Sequence, residues 1–321
     1  MTELNNGVLV AVCCITYNQT DYISDCIESI FLQKTNFDFK VYVGDDNSTD
    51  GTWEKLLKYQ MKLGSKLCLI RNINKTAYLP GKLNFINTLS ECKAKYIALC
   101  EGDDYWTDPY KLQKQVDFLE RNDNYALVFH DVKILKDGVL VKDYLTRQVE
   151  ETTTILDLAD GNYIHTPSVA FRYREDLIPN WFYDCPIGDY ALHMLSSQYG
   201  KIKKLSDTMA VYRVHSNSYY SSKSELDNAA RMIHQLELML NQFSSDVQVR
   251  LKKNLLNLLN ILIASDLSDE LKSQYIHKKA VYDENYAFSL WSKNKNSELE
   301  LLSLKRAIKL ILKRLIFLKN I

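Results

Sequence analysis

The strongest constraint in this chain is an alternation that fills its first third. Short apolar runs rich in β-branched residues are each followed by a stretch of helical period. "GVLVAVCCI" (7–15) is a continuous apolar run of the kind found in a strand buried on both faces. The next segment sets Ile23, Cys26, Ile27, Ile30 and Phe31 at i, i+3, i+4, i+7 and i+8, one helical stripe. "FKVYVG" (39–44), "KLCLI" (66–70) and "KYIALC" (95–100) read as strands. Between them, 52–63 and 82–93 read as helices, the first with Trp53, Leu56, Leu57 and Met61 on one face. Such alternation predicts parallel βαβ units in an α/β sheet.

Beyond residue 105 the pattern loosens. Asp108-Pro109 reads as a helix start, a capping carboxylate followed by proline at the first helical position, with Leu112, Val116 and Leu119 facing inward. Residues 125–145 read as two strands around a Lys-Asp-Gly turn. A strand is predicted over 163–173, a helix over 188–200 closing on Gly200, and extended structure over 201–215. From about residue 224 the chain has helical periodicity and almost no Gly or Pro, which reads as a helical appendage.

Composition narrows the function classes. Lys plus Arg equals Asp plus Glu at 40 each, so net charge makes no case for nucleic acid as a partner. Seven cysteines show no CxxC pair and no zinc spacing, which suits small buried hydrophobes in a reducing compartment. The N-terminal apolar run is too short for a signal peptide and has no basic flank, so a cytoplasmic location is expected.

Ligands of open α/β sheets sit at the carboxyl ends of the strands. The polar clusters of this chain fall there: "TYN" (16–18), "GDDNSTDGT" (44–52) and "EGDD" (101–104). Much of the second is ordinary turn chemistry, and Asp50 alone would serve as a helix cap. Adjacent Asp45 and Asp46 repel each other, and turn chemistry explains them poorly. The acids Glu101, Asp103 and Asp104 likewise repel unless a cation joins them. Mg²⁺ or Mn²⁺, which prefers carboxylates together with substrate phosphates, is the expected cation.

"CCITYNQTDYISDCIESIFLQ", "VGDDNSTDGT" and "KYIALCEGDDYWTDPYKLQKQVDFLE", in that order, resemble the catalytic domain of glycosyltransferase family 2. "GDYALHMLSSQYGKIKKL" and "VYRVHSNS" resemble its acceptor-side helix and the strand that follows. The resemblance covers roughly residues 7–220 and implies an α/β GT-A fold, a Rossmann-like mixed sheet, for a domain over residues 1–222; the helical periodicity beyond it makes 223–321 an α-helical region. It implies a nucleotide-sugar donor, expected to be a UDP-sugar, and inverting transfer to a glycan or lipid-linked acceptor.

The implied roles are specific to residues. Thr16 and Tyr17 would bind the nucleotide, with Tyr17 flanking the base, and Asp46 or its neighbour Asp45 would bind the base N3–H. Asn84 is a candidate on the nucleotide side. Asp103 would coordinate Mg²⁺ or Mn²⁺, with Asp104 reaching the same ion. Glu101 would face the ribose or a metal-bound water, and His215 would be a late ligand to metal or diphosphate. Asp189 would be the catalytic base. Two positions depart from the usual pattern: Glu101 replaces an Asp, and Gly188 stands before Asp189 where many members carry Glu.

Other classes fit less well. A sugar-phosphate nucleotidyltransferase needs a glycine-rich loop after the first strand, and a dehydrogenase needs GxGxxG; "TYNQTDY" has no glycine. A degenerate domain serving as a nucleotide-sugar scaffold is opposed by the intact Asp103, Asp104 and Asp189. The C-terminal stretch 301–319 pairs an apolar stripe with Lys305, Arg306, Lys309, Lys313, Arg314 and Lys319 and no acid. That pattern predicts a peripheral helix on anionic lipid at the inner face of the plasma membrane.

Overall fold

The computed structural model describes residues 7–73, 81–216, 218 and 223–293. The chain divides into two compact units, Met1–Ser224 and Glu225–Ile321. The first unit opens with β1 (Val8–Thr16), α1 (Ile23–Phe31), β2 (Asp38–Asp45), α2 (Thr52–Leu63), β3 (Leu67–Arg71), α3 (Lys82–Glu91) and β4 (Tyr96–Leu99). β1 pairs in parallel with β2 on one side and β4 on the other, and β2 pairs in parallel with β3. The order β3-β2-β1-β4 is therefore the doubly wound half that the alternation predicts.

Burial explains why these runs become strands here. Val10, Val12, Cys14, Val41, Val43, Tyr96 and Ala98 are all 4% exposed or less, with helix residues Ile23, Cys26, Ile27 and Ile30 packed on the same core. Each fully buried aliphatic side chain contributes roughly 1.5–3 kcal/mol against the entropy of ordering the chain. α2 is packed more loosely than its pattern predicts. Leu56 is buried, but Leu57 and Met61 are 39% and 79% exposed, so the inward stripe is narrower than the apolar one.

The second half of the sheet turns mixed. β5 (Tyr105–Trp106), α4 (Lys111–Arg121), β6 (Tyr125–Lys136), β7 (Val139–Lys142), β8 (Thr152–Thr153), α5 (Ile155–Ala159), β9 (Ala170–Arg172), α6 (Gly188–Ser196) and β10 (Lys201–Val214) follow in order. β9 runs antiparallel to both β4 and β6, while the long β10 is parallel to β6 and antiparallel to β5. The β6–β7 hairpin turns through Asp137 and Gly138, both at positive φ.

Three local expectations are corrected. α4 begins at Lys111 rather than after Asp108, whose carboxylate accepts the Tyr110 N–H at 2.8 Å in a turn before the helix. The 163–173 segment is a strand only at Ala170–Arg172, because Pro167 lies in a short 3₁₀ turn, Thr166–Ser168. Gly200 ends its helix in extended backbone. It is required by close approach, since an added Cβ would lie 2.8 Å from the Asn124 carbonyl.

Gly44 makes a tighter demand. A Cβ there would sit 1.8 Å from Thr88 Oγ1 and 2.4 Å from Asn84 Oδ1 on α3. Gly44→Ala is expected to destabilise the protein by about 1–3 kcal/mol or more, the usual range for overpacking, read as a lower urea midpoint with unchanged slope.

The second unit holds α7 (Glu225–Met239), α8 (Ser245–Ala264), α9 (Asp269–Tyr282) and α10 (Glu284–Lys293). α8 buries Val247, Leu251, Leu255, Leu259 and Leu262 along one stripe. Lys278 of α9 pairs with Glu237 of α7 at 2.7 Å. No helix among the described residues is long and apolar enough to cross a membrane. The basic stretch 301–319, expected on lipid, lies outside the described residues.

Candidate active site

Because β1, β2 and β4 are parallel, their carboxyl ends share one edge of the sheet. Thr16 closes β1, buried, with its hydroxyl donating to Gln19 Oε1 at 2.7 Å. The loop after it is stapled to the loop after β2. Asp46 N–H donates to the Thr16 carbonyl (3.0 Å), Asn18 N–H to Ser48 Oγ (2.9 Å), and Thr49 N–H to Asn18 Oδ1 (2.9 Å). Asn18 and Asn47 adopt positive φ, which a short amide side chain tolerates. From this double loop Tyr17 projects, 48% exposed.

Asp45 lies beneath it, fully buried. Its Oδ1 accepts the Ser48 N–H at 2.9 Å, while Oδ2 finds no partner among the described residues. Asp46 stands beside it, half-buried. Gly51 occupies the residue before α2, and Asp50 caps the helix from one position earlier: it accepts the N–H of Thr52, the first helical residue, at 3.0 Å, together with the Thr52 hydroxyl at 2.6 Å and the Thr20 N–H at 2.9 Å. Burial pulls its pKa upward, but these bonds outweigh that pull and hold it below the ordinary range.

Asn84 sits behind both loops. Its Nδ2 donates to the Gly44 carbonyl at 2.9 Å, and its Oδ1 accepts from Asn72 Nδ2 at 2.6 Å. That amide ties strand ends together beneath the surface carrying Tyr17.

The acidic cluster forms a tight turn after β4, closed by Asp104 N–H donating to the Glu101 carbonyl at 3.0 Å. Gly102 N–H donates to the Ile15 carbonyl at 2.9 Å, pressing the turn against the end of β1. A Cβ on Gly102 would meet Gln19 Oε1 at 2.5 Å, which is why glycine separates the acids. One oxygen from each of Glu101, Asp103 and Asp104 lies within 4.8 Å of the others.

Basic side chains reach only part of this cluster. His215 Nε2 is 3.0 Å from Asp103 Oδ2. Arg213, two residues earlier and near the end of β10, donates its backbone N–H to Asp104 Oδ1 at 2.8 Å and its Nη1 to the Asp103 carbonyl at 2.8 Å. Its guanidinium also pairs with Asp25. Asp103 Oδ1 and Asp104 Oδ2 remain buried with no partner among the described residues.

An unsatisfied buried carboxylate oxygen is costly. Burial first, then the charge of Asp103, pushes Glu101 and Asp104 well above the ordinary carboxylate range. Clustered carboxylate oxygens with two unfilled lone-pair sites suit a hard divalent cation, so this donor set fits Mg²⁺ or Mn²⁺.

Asp189 occupies the first turn of α6, half-buried, with Thr166 Oγ1 donating to its Oδ2 at 3.4 Å. Its negative charge acts on both Glu101 and Tyr212, so it lies within electrostatic range of the acidic turn. The segment carrying Thr166 is anchored from below. Trp106 Nε1 donates to the Pro167 carbonyl at 2.9 Å, and Gln115 Nε2 to the Ser168 carbonyl at 2.8 Å. Fully buried Lys111 donates to Gln115 Oε1 at 2.8 Å and lies 4.0 Å from the Trp106 ring, its pKa drawn down by burial to about 7.

The sequence reading therefore placed Glu101, Asp103, Asp104 and His215 where the structure gathers them. It missed Arg213, whose signal was its spacing of two from His215 on an extended run, and Lys111 and Lys82, which look like surface lysines in sequence.

The model of Glycosyl transferase family 2 matches residues 11–182, more than half of the chain. An uncharacterized protein of Mycobacterium tuberculosis is 34% identical over 217 residues, 66% of this chain and 61% of that relative's length. The Escherichia coli UDP-Glc:alpha-D-GlcNAc-diphosphoundecaprenol beta-1,3-glucosyltransferase WfaP is 34% identical over 133 residues, 41% of this chain and 49% of its own. The crystal structure of Staphylococcus aureus TarS 1–349 in complex with UDP-GlcNAc superposes with a TM-score of 0.62 at 19% identity, covering 87% of this chain and 83% of that one. The shared architecture is the GT-A fold. On the family match, this chain belongs to glycosyl transferase family 2.

Proposed function

We propose that the protein is a metal-dependent, inverting glycosyltransferase that moves a sugar from a UDP-sugar to an acceptor hydroxyl in cell-surface glycan synthesis. One observation carries the reading: Glu101, Asp103 and Asp104 converge at a parallel-strand edge with two buried carboxylate oxygens unsatisfied among the described residues. The UDP-GlcNAc held by TarS and the diphosphoundecaprenol-linked substrate in the name of WfaP support the donor and acceptor classes.

Each residue then has a physical task. Tyr17 offers an exposed ring to the base, and Asp46, or Asp45 beneath it, accepts the base N3–H. Asp103 and Asp104 would hold Mg²⁺ or Mn²⁺, with Glu101 and His215 as their immediate neighbours. When bound, such a cation neutralises charge developing on the departing diphosphate. Asp189 takes the proton from the acceptor hydroxyl as that oxygen attacks the anomeric carbon from the face opposite the leaving group. Its Oδ2 lies 3.4 Å from the Thr166 hydroxyl, a long contact that leaves a carboxylate lone pair available to accept that proton.

A melting-temperature screen of nucleotide-sugars with Mn²⁺ present tests this directly. A UDP-sugar at about 100 times its Kd should stabilise by about 2.7 kcal/mol, and Asp103→Ala should abolish the shift. Equal stabilisation of both proteins would count against metal-bridged binding. A stable complex that never hydrolyses or transfers its sugar would count against catalysis.

A further inference from the structure

Lys82 is a buried cation that the reaction as described leaves unused and that, unlike Lys111, has no hydrogen-bond acceptor among the described residues. It is the first residue of α3 and is 8% exposed. Its Nζ has no hydrogen-bond partner among the described residues. The stem runs toward Phe85 and Phe182, whose rings are 6.3 Å apart, and Nζ lies 4.4 Å from the Phe182 ring centroid. A cation–π contact of this kind contributes about 0.5–2 kcal/mol. Removing an ammonium from water costs several kcal/mol, so the ring offsets only part of the penalty.

The surroundings show where a partner would come from. Burial pulls the Lys82 pKa down to about 8, against the raising influence of Cys185 and Asp189. Lys82 is therefore close enough to feel the proposed base without pairing to it. The other near neighbour is Gly188, directly before Asp189, and a Cβ built there would stand 3.0 Å from Nζ. Residue 188 is glycine because a side chain there would crowd Nζ and the Phe85 ring, whose carbons would lie 3.2–3.3 Å from the same Cβ, and among the described residues nothing accepts a hydrogen bond from the ammonium. A carboxylate brought to the ammonium by a ligand would satisfy it.

We propose that Lys82 forms an anion subsite beside Asp189 that recognises a carboxylate on a sugar, making the enzyme selective for an acidic (uronic-type) sugar. This rests on the transfer reaction proposed above, since it assigns the sugar whose handling Asp189 serves. A lysine suits this role: it is a compact point charge whose three donors can follow one carboxylate. The carboxylate belongs either to the sugar being transferred or to the acceptor sugar, and both present the same chemistry to Nζ.

Three measurements on the full chain separate the possibilities. UDP with Mn²⁺ should stabilise the unmutated protein and Lys82→Met equally, because the proposed subsite serves the sugar rather than the nucleotide. Absence of that common shift would overturn the transferase reading and this proposal with it. If the donor carries the acid, UDP-glucuronate should bind at least about tenfold tighter than UDP-glucose, and Lys82→Met should erase the difference. If the acceptor carries it, saturation-transfer NMR with UDP and Mn²⁺ present should detect methyl glucuronide in preference to methyl glucoside, again only with Lys82 in place. Lys82→Gln, which keeps polarity without charge, should behave as Lys82→Met does. A preference for neutral sugars in both arms, or an acid preference that survives Lys82→Met, would overturn the subsite while leaving nucleotide binding intact.

Discussion

Asp104→Asn is expected to raise the melting temperature of the metal-free protein and to destroy its response to Mn²⁺ and UDP. Asp104 is 1% exposed, and only one of its oxygens is satisfied, by the Arg213 N–H. Asn keeps that acceptor and removes a charge that repels Asp103 and Glu101. Relief of about 1–3 kcal/mol follows from an unsatisfied buried group of this kind, or roughly 2–4 °C per kcal/mol in a chain of this size.

The sign of the pH effect is fixed by the direction of the shift. A carboxyl whose folded pKa is raised binds more protons folded than unfolded, so its penalty is absent below the ordinary value near 4. The penalty grows as pH rises from there through the raised value. Buried His130 and His193 carry the opposite dependence, since burial lowers both, the second to about 4. The informative quantity is therefore the melting difference between Asp104→Asn and the unmutated protein. It should be near zero at pH 4 and positive at pH 8. With the nucleotide and Mn²⁺ added, the order should invert, because a bound cation converts the same charge from liability to ligand. A variant less stable than the parent at every pH, with Mn²⁺ binding intact, would show that Asp104 is a structural acid.

The second large effect concerns Asp189. Asp189→Asn should lower kcat by about 10²- to 10⁴-fold, the usual contribution of a positioned base, while UDP affinity stays within about twofold. Asp189→Glu should also fall, by roughly 10²-fold, because an extra methylene moves the accepting oxygen by about 1 Å from the position beside Thr166. Loss of binding rather than turnover, seen as a raised KM with unchanged kcat, would move Asp189 from proton transfer to substrate contact.

The legible parts of the molecule are those where local chemistry and global packing agree. The apolar runs at 7–15 and 95–100 became central parallel strands because continuous burial permits no other use of them. The acids at 101, 103 and 104 were conspicuous because like charges so close need a cause. The rest depended on distant partners. β9 shrank to three residues because its neighbours β4 and β6 meet it only there. Leu57 and Met61 fit a helical stripe, yet the sheet edge they approach leaves them in solvent. Lys82 and Lys111 carry no signal of burial in sequence, since a lysine at the start of a helix is ordinarily a surface residue.

The claim beneath all of this is that the acidic turn after β4 is a cation seat for a diphosphate. Anomalous diffraction at the manganese edge, from crystals grown with UDP and Mn²⁺, tests it most directly. The expected result is one strong peak within roughly 2.0–2.6 Å of carboxylate oxygens of Asp103 and Asp104, bridging to both phosphates. UDP seated at this edge with no manganese against those two residues would contradict it.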